Sequence, residues 1–119
     1  MTAREATSFS QAMYEGAVVV EAHGELEVTS APSFRSALQR AIETGQPLVV
    51  VDLEHVSFLD SAGLAVVFGA QRQLPVTQRM VLANVPDRMR RMLRLAAVDA
   101  VVEVHAPGEP QPWRSGAGA

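Results

Sequence analysis

Apolar and polar positions along the chain alternate between two rhythms, one close to 2 residues and one close to 3.6. The stretch "GAVVVEAHGELE", residues 16–27, carries the β-branched Val18, Val19 and Val20 and is interrupted by Gly24, the marks of a strand. "TSAPSFRSALQRAIETGQP" then predicts a helix, with Phe34, Leu38, Ala41 and Ile42 recurring at helical spacing. Thr29 or Ser30 can cap it, and Pro32 falls near the first turn, where a missing N–H costs little. Gly45 and Pro47 mark its stop. "LVVVDL", residues 48–53, is an unbroken apolar run, the pattern of a strand buried on both faces. "EHVSFLD" reads as a short turn leading into a second helix, "SAGLAVVFGAQRQLP", that ends at Pro75. Leu64, Val67, Phe68 and Gln71 fall on one side of that helix, and the small Ala62, Ala65, Gly69 and Ala70 on the other. "RMVLANV" predicts a strand, "PDRMRRMLRLAA" a third helix with Met89, Met92, Leu93 and Ala96 inward, and "AVVEV" a last strand.

Strands alternating with helices predict an α/β domain over residues 1–105 whose sheet is partly parallel. Residues 106–119, rich in Pro and Gly, read as a disordered tail. With 119 residues, 48% of them hydrophobic, the chain is long enough for one cored domain without staples. No apolar run approaches the roughly 18 residues of a membrane span. Nor does the N-terminal stretch carry the apolar segment of a signal peptide, which gives the expectation of a cytoplasmic protein.

A net charge of −3 disfavours nucleic acid as partner, because phosphate backbones select basic surfaces. The absence of cysteine excludes disulfides and thiolate metal sites. His23-Gly24-Glu25 matches half of a zinc deaminase signature, but the other half requires cysteines. His55 and His105 have no metal-ligand partners at sequence spacing, so no metal is expected, and no phosphate-cradling glycine loop is present. Arg88, Arg90, Arg91 and Arg94 give the third helix a positive face, either simply solvated or a dock for an acidic surface.

Asp60-Ser61 is the candidate chemistry. A carboxylate and a hydroxyl interrupt the apolar run "VSFLDSAGLAV" where a helix starts. The pair can cap that helix, though one such residue suffices for capping. A nucleophilic Ser61 of the G-x-S-x-G kind is disfavoured, because Leu59 stands in place of the first Gly and no His can be argued as base. As a phosphate acceptor, Ser61 would gain about 1.5 to 2 negative charges at a helix N-terminus, which tolerates them. The same charge would be costly in an interface packed on Ala62, Gly63 and Leu64. Gly63 is expected to let a second protein approach closely.

"GELE" (24–27), "LVVVDLEHVSFLDSAGLAVV" (48–67), "MVLANV" (80–85) and "RMRRMLRLAAVDAVVEV" (88–104) resemble the STAS domain of bacterial anti-sigma factor antagonists. The D-S-x-G-L core behind an apolar strand is the most specific part. The resemblance implies a mixed sheet with helices packed mostly on one face. It also implies a non-enzymatic regulator of sigma-factor-dependent transcription that binds an anti-sigma factor serine kinase and is switched off by phosphorylation of Ser61. The ATP would belong to the kinase, no cofactor to this chain, and a PP2C-type phosphatase would reverse the modification. The interface implied comprises Glu25, Glu27, Asp60, Ser61, Ala62, Gly63, Leu64, Ala65 and Gly69, and its small-residue helix equally suits a homodimer. STAS-like domains also serve as non-switching scaffolds and as soluble subunits of lipid-transport systems. Three departures stand out: Glu27 replaces the usual Asp of Gly-Glu-Leu-Asp, Ala62 replaces a common second hydroxyl, and Ala97-Val98 replaces a helix-closing Gly-Leu.

Overall fold

A computed structural model describes residues 6–115. One sheet of five strands runs in the order β1 (Ser8–Tyr14), β2 (Ala17–Leu26), β3 (Leu48–Leu59), β4 (Arg79–Ala83) and β5 (Glu103–Val104). β1 and β2 form an antiparallel hairpin, turned at Gly16 with φ 79°, and every later pairing is parallel. Parallel neighbours need crossovers, supplied here by α1 (Ala31–Glu43), α2 (Ser61–Gln73) and α3 (Asp87–Leu95). The sheet is therefore mixed, with these three helices on one face, as expected.

The core follows strand alternation. Val18, Val20, Ala22, Val49, Val51, Leu53, Met80 and Leu82 point to the helical layer, where Phe34, Leu38, Val66, Val67, Met89 and Leu93 meet them. α1 closes at Gly45 (φ 76°), and the side-chain amide of buried Gln78 donates to the carbonyls of Ile42 (3.1 Å) and Gln46 (2.9 Å) there. The intervening strand positions, Ala17, Val19, Val50, Val81 and Ala83, form a second apolar cluster on the opposite face.

That second face is where the structure departs from the expected tail. Residues 106–115 turn back over it, a short helix α4 (Pro112–Ser115) forms, and Trp113 (7% exposed) fills the cluster against Val50 and its neighbours. A strand buried on both faces needs two covers, and the Trp113 segment is the second. Residues 116–119 of the expected tail lie outside the described residues. Beneath Trp113's neighbour runs a polar network. The carboxylate of Asp52 (2% exposed) accepts from Arg114 Nη2 and Asn84 Nδ2, both at 3.0 Å, and from the Glu54 amide at 3.0 Å. Arg114 also donates to the Tyr14 hydroxyl at 2.8 Å, and Gln111 to Asn84 at 2.8 Å.

Four local expectations shift. "EHVSFL" is not a turn but the second half of β3, which stays paired with β2 through two register shifts. Those irregularities break the period-2 alternation, so the segment carried no strand signal. β1 was missed because it is an edge strand with mostly exposed positions. "AVVEV" splits into a 3₁₀ turn, Val98–Ala100, and the two residues of β5. α3 ends at Leu95, leaving Ala96 exposed and Ala97 in the left-handed region with φ 59°.

Candidate functional site

β3 delivers Leu59 into the sheet beside Leu26, and the chain then breaks into α2 at Asp60. Asp60 takes an extended conformation and is the N-cap: its Oδ1 accepts from the amides of Ala62 (2.8 Å) and Gly63 (3.2 Å). Its own amide donates to the Leu26 carbonyl (3.1 Å), and its carbonyl accepts from Leu64 (2.9 Å), so the turn is tied at both ends. The capping work is done by the carboxylate. Ser61 is the first helical residue, it is exposed, and among the described residues no hydrogen bond engages its hydroxyl. A hydroxyl that neither caps nor packs is available to an incoming group.

Two aspects of this turn differ from the sequence reading. The helix N-terminus does not offer Ser61 free donors at Ala62 and Gly63, because Asp60 has taken them. A group added to Ser61 would feel the helix dipole and the like charge of Asp60 together. Gly63 is buried and leaves no room for a visiting protein: a Cβ there would lie 2.5 Å from Leu59 Cδ1 and 2.7 Å from the Leu26 carbonyl. Its small size lets the first turn of α2 press onto β2, which is an internal requirement.

The remaining expected interface residues separate by exposure. Ala62, Leu64 and Gly69 are half-buried and Ala65 is exposed, whereas the inward face of α2 is Gly63, Val66, Val67 and Ala70. That face lies one position round from the expected one. Glu25 lies near the end of β2 and Glu27 in the loop after it, both half-buried. Glu27 receives the Thr29 amide (3.2 Å) and hydroxyl (3.3 Å), which folds that loop. Ser30 braces the same loop by donating to the Glu25 carbonyl at 2.6 Å and accepting from the Glu27 amide at 3.0 Å.

Beside the Ser61 turn lies an apolar groove that sequence reasoning missed. It measures about 350 Å³ and is lined by Val56, Ser57, Phe58, Leu59, Pro86, Arg88, Met89 and Met92. Phe58 is 49% exposed, a large aromatic surface left in water at the end of β3. The only available signal was an aromatic residue in a segment read as a turn. Met89 and Met92 fit a surface that adapts to a partner. Arg88 brings positive charge to the rim, while Arg90 is paired with Asp87 instead.

Comparison with known proteins gives a consistent picture. The STAS domain family model matches residues 10–107. The anti-sigma-B factor antagonist of Listeria monocytogenes is 31% identical over 83 residues, covering 68% of this chain and 72% of that protein. An anti-sigma factor antagonist from Mycobacterium paratuberculosis superposes with a TM-score of 0.80 at 23% identity, over 88% of this chain and 90% of that one. The phosphorylated form of the Bacillus cell fate determinant SpoIIAA matches with a TM-score of 0.63 at 28% identity, over 86% and 94% of the two chains.

Proposed function

The chain belongs to the STAS domain family, and on that premise we propose that it is an anti-sigma factor antagonist switched by phosphorylation of Ser61. The observation that carries the reading is the exposed Ser61 hydroxyl at the start of α2, free of the capping role that Asp60 fills. In the unmodified state, Ser61, Ala62, Leu64 and Ala65, with the neighbouring groove and Phe58, offer a mostly apolar docking surface. Gly69 extends it along α2, and Glu25 and Glu27 border it. The partner is an anti-sigma factor serine kinase carrying its own ATP, and binding releases the sigma factor.

Transfer of the γ-phosphoryl group from that ATP to Ser61 Oγ leaves ADP on the kinase and a near-dianion on the turn. Free in solution, this costs little, because the hydroxyl is exposed and water solvates the charge. Under a bound partner the charge would have to be desolvated on an apolar surface beside Asp60, and the complex separates. Hydrolysis of the phosphoserine by a PP2C-type phosphatase restores the docking form. On this reading the ATP stays with the kinase, the chain catalyses no step, and it acts in the cytoplasm, where the sigma factor works. Among the described residues no helix is long and apolar enough to cross a membrane.

The test is direct. The purified chain is incubated with ATP and each anti-sigma factor kinase encoded in its own genome, and intact mass and fragmentation are read. Addition of one phosphoryl group at Ser61, absent from Ser61→Ala, is expected. If a kinase binds the chain but no phosphoryl group is transferred, the protein is a constitutive STAS scaffold.

A further inference from the structure

On the sheet face opposite the three helices, β2 and β3 bring together side chains that their sequence positions keep apart. From the geometry we infer that Glu21, His23 and His55 form a binding site for a late first-row divalent transition cation, of the zinc, nickel and copper class. His23 Nε2 lies 2.7 Å from Glu21 Oε1, and the rings of His23 and His55 stack with centroids 4.7 Å apart. One ligand atom from each of the three lies within 4.8 Å of the other two.

A β-bulge builds the cluster. Glu21 pairs with Asp52, but His23 pairs with His55, so β3 has spent an extra residue between the two pairs. In unbroken register His23 would face Glu54, and His55 would point toward the helices. The bulge is held by the Glu54 amide donating to Asp52 Oδ1 at 3.0 Å, and it re-aims His55 onto the face of Glu21 and His23. Asp52 is excluded as a ligand, because Arg114 and Asn84 already saturate its other oxygen.

Two imidazoles and one carboxylate suit zinc, nickel or copper and are a poor set for magnesium or calcium, which prefer oxygen. Ligand atoms around such an ion stand about 3.3 Å apart, given bond lengths near 2.0–2.1 Å. The widest pair must therefore close by at most about 1.5 Å. His55 can provide this: its side chain is 48% exposed and ties to Glu54 only through a loose 3.9 Å contact. Binding puts the ion in place of the hydrogen between His23 Nε2 and Glu21 Oε1, and the neutral imidazole then carries its hydrogen on Nδ1. The remaining positions face water. The site is independent of the Ser61 switch, which could fail without affecting it.

Tag-free full-length protein, stripped with chelator, is titrated with Zn2+, Ni2+ and Cu2+ by calorimetry. One ion per chain is expected, with His23→Ala and His55→Ala each weakening it about tenfold or more. His105→Ala removes a histidine paired elsewhere, with Glu103, and should leave affinity unchanged. Ring-nitrogen NMR of the unaltered protein should show Zn2+ moving the His23 and His55 signals but not those of His105. Absence of saturable binding by all three ions overturns the proposal, as does binding that survives His23→Ala or His55→Ala or perturbs only His105.

Discussion

Replacing Trp113 with Ala tests whether the C-terminal segment is a structural cover for the sheet. Trp113 is 7% exposed and sits on Val50 and Val81. A buried tryptophan removes about 150–250 Å² from water, worth an upper limit of about 4–6 kcal/mol at about 25 cal/mol per Å². Two effects reduce this. The indole N–H is buried without a partner, an offset of about 1–3 kcal/mol in the folded state. The segment can also peel away once its anchor is gone and recover the backbone entropy of residues 106–115, so the loss cannot exceed the free energy that docks it. The expected loss is about 2–3 kcal/mol in urea unfolding followed by circular dichroism. The slope against urea should fall if the segment is already detached, because less surface remains to be exposed. Trp113→Phe should keep most of the stability, losing ring area but also the orphaned N–H. Trp113 is the chain's single tryptophan, so its fluorescence gives a second readout: blue-shifted emission shielded from acrylamide. A fully hydrated emission spectrum in the unaltered protein, or an unfolding midpoint unmoved within about 0.5 kcal/mol in the Ala variant, refutes the covering role.

Further outcomes follow from single positions. Ser61→Asp should weaken kinase binding by about 2 kcal/mol or more, the scale of a desolvated unpaired charge, while changing folding stability by under about 1 kcal/mol; calorimetry and urea unfolding separate the two. Gly63→Ala should destabilise by about 1–3 kcal/mol, since its Cβ would overlap both Leu59 and the rigid Leu26 carbonyl; an unchanged midpoint would show that α2 does not press on β2. Ala97→Gly should stabilise by about 0.5–1 kcal/mol, because a left-handed backbone at φ 59° is strained for alanine and not for glycine. A thermal scan checks it, and a lowered Tm would contradict that conformation.

Where structure is local, the sequence was readable. Helix α1 was visible in its period and its stop, from Pro32 in its first turn to Gly45 beyond its end, because those signals lie within one continuous segment. The expected side-chain cap is not made: Ser30 stands at the N-cap but its hydroxyl braces the preceding loop at Glu25 and Glu27 instead. The Asp60-Ser61 turn was readable for the same reason: the cap and the amides it satisfies are two and three residues apart. The division of labour between the two residues was not, because either side chain can cap and only the backbone geometry selects Asp60. The groove with Phe58 was lost when two register shifts in β3 erased alternation, which turned a strand into an apparent turn.

The C-terminal segment shows a different limit. The continuous apolar runs at Val18–Val20 and Val49–Val51 already demanded burial on both faces. Three crossover helices on one side can satisfy only one of them, so the sequence contained an unmet requirement as well as a lone tryptophan able to meet it. Composition hid the connection, because Pro and Gly around Trp113 read as disorder when judged locally. The missing inference was global: an uncovered apolar sheet face must recruit some remaining segment, and the tail holds the chain's single tryptophan. Asp52 sharpens the point. A carboxylate inside "LVVVDL" needs charged or amide partners once buried, and Arg114 and Asn84 supply them from 62 and 32 residues away. Buried polar residues in an apolar strand are thus addresses for distant segments, and the pairing of Asp52 with Arg114 fixes where α4 must land.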